Sequence, residues 1–139
     1  MDKSDKQDKR IIKILGAGNL GVTLESLTLY REYLRKHLET PCTMTGIEDL
    51  QWEDKHSFGY ADETDSEVLN NNRPSSTDVY ELKRFEELID EDIGILVKVK
   101  RVKDNRRFIL DLKSLKAVDK ASENYMLIDD YATWFGSNR

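Results

Sequence analysis

The sequence predicts an α+β domain: an N-terminal helix packed on a small antiparallel β-sheet or SH3-like barrel, closed by a short C-terminal helix. Three observations carry this. Leu24, Leu27, Leu34 and Leu38 recur at helical spacing. Residues 93–112 alternate apolar and polar side chains on both sides of a polar turn. Tyr125, Leu127, Ile128, Tyr131, Trp134 and Phe135 recur at spacings that suit one face of a helix.

The elements follow in chain order. Residues 1–10, of mixed charge, read as a disordered tail, and 11–139 as one domain. Ile11-Ile12-Lys13-Ile14-Leu15 is a short apolar run of strand type. Thr23 is an N-cap candidate, because its hydroxyl can accept an orphan backbone N–H. Glu25 suits the positive end of the helix dipole, and Arg35, Lys36 and His37 suit the negative end. The main helix is therefore expected over 24–38, with Pro41 preventing continuation. A strand is expected over 42–52, with Met44, Ile47, Leu50 and Trp52 as its apolar members. From 53 to 78 the chain reads as a long polar loop with a short helical turn near Glu67-Val68-Leu69. Val79-Tyr80-Glu81-Leu82 is a strand candidate, and Glu86–Asp92 an acidic loop. Ile95, Val97 and Val99 alternate with Lys98 and Lys100. Lys103-Asp104-Asn105-Arg106 then makes a turn into Phe108, Leu110 and Leu112, completing a hairpin.

Composition excludes several function classes. The chain has 139 residues, 38% apolar and 35% charged, with a formal net charge of −5. An acidic chain gains no overall electrostatic support for binding nucleic acid or an anionic membrane. No apolar run approaches the ~20 residues that span a bilayer, and the charged start lacks the apolar core of a signal peptide. The expected location is the cytoplasm. Cys42, the lone cysteine, cannot form an internal disulfide. With only His37 and His56 beside it, it makes poor material for a zinc site or a thiol nucleophile. No enzyme active site is expected.

Gly16-x-Gly18-x-x-Gly21 follows an apolar run and precedes a helix, as a dinucleotide fingerprint does. The second strand and its terminal acid are missing: the corresponding region is Pro41-Cys42-Thr43-Met44. A glycine-rich turn into a helix cap is the better reading.

The acids carry more information. More than half lie between Glu48 and Asp92, clustered as Glu48, Asp49, Glu53, Asp54; as Asp62, Glu63, Asp65, Glu67; and as Glu86, Glu87, Asp90, Glu91, Asp92. Calcium takes about 6–8 oxygen ligands, and flexible acidic loops supply them. A divalent cation also relieves the repulsion of gathered carboxylates. A solvated acidic surface is the plainer alternative. Asp90-Glu91-Asp92-Ile93-Gly94 lacks the ligand spacing of an EF-hand. Lys98, Lys100, Arg101, Lys103, Arg106 and Arg107 make a basic hairpin tip, which balances the acids or docks an acidic partner.

Several blocks together resemble a known family. They are Tyr30-x-x-Tyr33-Leu34-x-x-x-Leu38-x-x-Pro41, Thr45-Gly46-Ile47-Glu48-Asp49 with Trp52-Glu53, and Arg73-Pro74-Ser75. Gly94-Ile95-Leu96-Val97-Lys98-Val99, Phe108-x-Leu110-x-Leu112-x-x-Leu115 and Asn124-Tyr125-x-Leu127-x-Asp129-Asp130-Tyr131-x-x-Trp134-Phe135 follow. In order and spacing they resemble bacterial calcium-binding proteins of the cyanobacterial type. The resemblance implies a non-enzymatic intracellular protein that binds Ca2+, as buffer or sensor, on an SH3-like core with a preceding helix. The expected metal ligands are the loop carboxylates Glu86, Glu87, Asp90, Glu91 and Asp92, with Asp129 and Asp130 as second choices. The competing expectation is a metal-free protein-interaction module using the basic hairpin or the aromatic C-terminus. Neither expectation involves nucleic acid or membrane.

Overall fold

The computed structural model describes residues 3–18, 20–47, 57–60 and 77–138. Among them are three helices, α1 (Lys3–Leu15), α2 (Leu24–His37) and α3 (Glu123–Ser137), and six strands. The strands are β1 (Thr43–Gly46), β2 (Ser57–Tyr60), β3 (Val79–Asp90), β4 (Gly94–Arg101), β5 (Arg107–Asp111) and β6 (Leu115–Ala117). All neighbouring strands run antiparallel, in the order β2-β5-β4-β3-β1-β6. The class is α+β, as expected, but the sheet is not a closed barrel. Its outermost strands among the described residues are β2 and β6, which do not pair. The helices pack on the sheet: α3 lies against β6 and α2 against β3 and β4.

Residues 3–15 correct the sequence reading. Residues 3–10, within the region expected as a tail, and 11–15, expected as a strand, belong to α1; residues 1 and 2 lie outside the described residues. The strand reading took the apolar residues as neighbours. Their helical spacing decides instead: Gln7, Ile11 and Leu15 lie one turn apart and are buried, whereas the adjacent Ile12 is exposed. Burying such an aliphatic side chain contributes about 1.5–3 kcal/mol. Gly16, at φ +88°, ends the helix in the left-handed conformation that glycine adopts without strain. The residues before the Gly16-x-Gly18-x-x-Gly21 pattern are thus helix, not the strand a dinucleotide unit requires.

The α2 reading holds. Thr23 caps the helix by accepting from Ser26 N at 3.1 Å, and Ser26 Oγ accepts in return from Thr23 N at 2.8 Å. Its buried face is Leu27, Tyr30, Arg31 and Leu34, while Leu24 is exposed. Ser122 caps α3 in the same way, accepting from Tyr125 N at 3.1 Å. The core is aromatic where these two helices meet. The Tyr30 ring lies 5.3 Å from that of Tyr131 and 5.1 Å from that of Trp134, and Trp134 Nε1 donates to Leu20 O at 2.7 Å. The C-terminal aromatics Tyr131, Trp134 and Phe135 are therefore core, not a recognition surface.

The hairpin over 93–112 forms as β4 and β5, with Val97 opposite Leu110 and Val99 opposite Phe108. The expected strand over 42–52 is described only as β1, and 48–52 lies outside the described residues. So does most of the 53–78 stretch expected as loop, including the helical turn expected near residue 68; β2 falls within that stretch. The largest correction downstream is β3. It extends through Asp90, so part of the acidic stretch expected as loop is strand. Tyr80, Leu82 and Phe85 face the core with Ile89 half-buried, and irregular register between Leu82 and Arg84 and between Phe85 and Ile89 lets the apolar residues stay inward despite uneven spacing.

Candidate metal centre

The five carboxylates expected to hold a metal fall into two groups. Glu86 and Glu87 project from within β3, whereas Asp90 is its last residue and leads into the turn that carries Glu91 and Asp92. The strand pair is drawn to arginines. Glu86 Oε2 lies 3.2 Å from Arg84 Nε, and Glu87 Oε1 lies 3.3 Å from Arg35 Nη2. The buried Arg31 binds both backbone carbonyls: its Nη1 donates to Glu86 O at 3.3 Å and Glu87 O at 2.9 Å.

The turn is built with more care. Asp90 Oδ1 accepts from Asp92 N at 2.8 Å and from Ile93 N at 3.3 Å, an Asx turn. Glu91 Oε2 accepts from Leu24 N at 3.2 Å, at the positive end of α2. Gly94 has φ +93°, and a Cβ there would lie 2.8 Å from Phe135 Cε2 and closer still to the Tyr131 hydroxyl. That hydroxyl accepts from Ile95 N at 2.8 Å. Lys113 Nζ donates to Ile93 O at 2.8 Å and to the buried Asp111 Oδ2 at 2.6 Å. Two helices and the segment after β5 thus hold an acidic turn in place.

The donor chemistry of this turn suits a hard cation. The arrangement does not make a cage. Among the described residues, no group of three or more His, Cys, Asp or Glu side chains is placed to hold a metal ion. Asp90 and Glu91 spend oxygen atoms on backbone N–H groups, and Glu86 and Glu87 point at arginines.

The second-choice pair serves another purpose. Asp130 is buried and accepts from Arg10 Nε at 2.7 Å, Arg10 Nη2 at 2.9 Å and Gln7 Nε2 at 2.8 Å. Gln7 Nε2 also donates to Asp129 Oδ2 at 3.2 Å. The pair docks α1 onto α3. The hydrogen bond to Asp130 raises the Arg10 pKa above its ordinary value. Burial raises that of the Tyr30 phenol, whose hydroxyl has no hydrogen-bond partner among the described residues.

Other candidates resolve by their surroundings. Burial pushes the Cys42 thiol up to about 11, so little thiolate exists near neutral pH. His37 stacks 4.2 Å from the Tyr33 ring, and His56 lies outside the described residues. Three of the six cations of the basic hairpin, Arg101, Lys103 and Arg106, are paired with two carboxylates of the chain. The buried Arg101 binds Asp78 at 3.0 Å and Asp104 at 2.7 Å, and lies 4.9 Å over the Phe108 ring. Lys103 lies 3.5 Å from Asp78, and Arg106 3.8 Å from Asp104.

No family model matches the chain, and no curated protein matches it. Among solved structures, one described as a calcium binding protein in the calcium-binding form is similar, with a TM-score of 0.57 and 15% sequence identity. The alignment covers 96% of this chain and 92% of that one. At that identity the likeness establishes the fold.

Proposed function

We propose that this chain is a non-enzymatic calcium-binding protein whose ligand-bearing element is the β3–β4 turn. The observation that carries the reading is the turn itself: Asp90, Glu91 and Asp92 are consecutive acids on a backbone held by α2, α3 and Lys113. The solved calcium-binding structure of similar fold supports it. Binding asks Asp90 and Glu91 to exchange N–H partners for the cation, a modest rearrangement of exposed side chains. Because Glu91 accepts from the first N–H of α2, its ligation also alters that helix end, which favours a sensor over a passive buffer.

Calorimetric titration of chelator-treated protein with calcium tests the proposal. Heat saturating at or below millimolar calcium is expected, since even weak protein modules bind within about 10⁻⁴–10⁻³ M. The variant Asp90→Asn/Glu91→Gln/Asp92→Asn should lose that heat. A silent wild type, or a triple variant that binds equally well, would remove the proposal.

A further inference from the structure

A groove of about 330 Å³ lies between the end of α2 and β3. Its floor is Leu38, Leu82 and Phe85, and its rim carries Arg35, Lys83 and Arg84. Among the described residues, the sheet beside it is incomplete. β1 accompanies β3 only to Glu81, with a last bond from Leu82 N to Cys42 O at 2.9 Å. Further along, Arg31 takes the carbonyls of Glu86 and Glu87. Between these two guards, among the described residues, Arg84 and Phe85 pair with Lys98 and Val97 of β4 on one side and line the groove on the other, with Lys83 in the register shift beside them. An open strand edge beside an apolar trough is a template for an added strand.

We propose that this groove binds an extended acidic peptide segment of another polypeptide, which pairs with β3 at residues 83–85. Alternating side chains of such a strand point to opposite sides. One set would place an apolar residue over Leu38, Leu82 and Phe85. The other would set carboxylates against Lys83 and Arg84. Charge complementarity favours an acidic occupant: the rim has three cations, and among the described residues the one acid lining the groove is Glu87, which shares Arg35 with the exposed Glu32. The intramolecular partners of Lys83 and Arg84 are Glu81 and Glu86 on the same strand. Such same-strand pairs near the surface are weak and exchangeable. The opening is short, so the segment recognised is a few residues long. The proposal is independent of calcium.

The test uses the full chain in excess chelator and a dye-labelled peptide alternating glutamate and leucine, followed by fluorescence anisotropy. Binding is expected, and Lys83→Glu/Arg84→Glu should weaken it by about tenfold or more. Lys6→Glu/Lys13→Glu, which changes the exposed side of α1, should leave it within about twofold. A peptide N-methylated at alternate amides should bind poorly, since it cannot complete the strand pairing. Should charge reversal disturb the fold by circular dichroism, Lys83→Gln/Arg84→Gln gives the same comparison. Absence of binding, equal loss in both charge-reversal variants, or undiminished binding of the N-methylated peptide would each overturn the proposal.

Discussion

The two hairpin turns of the sheet treat negative charge in opposite ways. At the β4–β5 turn, Asp78 and Asp104 converge on a buried arginine, and the charge is consumed inside the structure. At the β3–β4 turn, Asp90, Glu91 and Asp92 stay at the surface, and the nearby cation, Lys113, binds the Ile93 carbonyl and Asp111 instead. A carboxylate cluster is thus structural where a buried cation converges on it; at the β3–β4 turn Asp90 and Glu91 accept from backbone N–H groups instead, and on the proposed reading these are the oxygens an external cation takes over. Clustering in sequence is shared by both kinds; the difference lies in what the fold brings alongside.

The comparison can be broken most severely at Arg101. Removing one partner of a buried ion pair leaves uncompensated charge, so Arg101→Ala should cost about 3–5 kcal/mol in urea denaturation. Calcium affinity measured below the unfolding transition should not change. On the other turn, Gly94→Ala should cost about 2 kcal/mol or more, because it combines a left-handed backbone with a clash against Tyr131 and Phe135. Unlike Arg101→Ala, it should also weaken calcium binding. Thr23→Ala removes the α2 cap and should cost about 1 kcal/mol. Since it loosens the helix end that Glu91 holds, a small drop in calcium affinity should accompany it.

The smallest expected effect is a pH dependence. Hydrogen bonding from Arg101 holds the Asp104 carboxyl below the usual aspartate range. A folded-state pKa below the unfolded value means that this stabilisation is present above the unfolded pKa. It is lost as pH falls through the folded pKa. Asp104→Asn should therefore flatten the acid limb of a plot of Tm against pH, and leave the neutral-to-alkaline limb parallel to wild type.

Much of the fold was legible in the sequence. α2, with its Thr23 cap and basic last turn, announced itself through local rules, and so did the β4–β5 hairpin and α3. The misreadings came where local pattern and tertiary demand diverge. Residues 11–15 look like a strand until Gln7 joins Ile11 and Leu15 as one helical stripe. Residues 86–90 look like a loop because charge conceals the inward Phe85 and Ile89; pairing with β4 decides their state. Of the five expected ligands, the consecutive acids Asp90–Asp92 do share one turn. Arg84 reaches Glu86 along β3 itself, once that stretch is strand, whereas the pull of Arg35 on Glu87 arises only once α2 and β3 are neighbours. Arg101 could be placed on a basic tip but not in a buried site, because Asp78, its partner, lies twenty-three residues away. The groove was invisible for the same reason: it exists only where β1 stops and Arg31 begins.

The most direct measurement is a calcium titration followed by ¹H–¹⁵N correlation spectra of the wild-type chain. The amides of Leu24, Asp92 and Ile93, which now donate to Glu91 and Asp90, should shift together and saturate at one calcium concentration. Shifts confined to other parts of the chain, or unchanged spectra at millimolar calcium, would contradict the assignment of the β3–β4 turn as the cation-binding element.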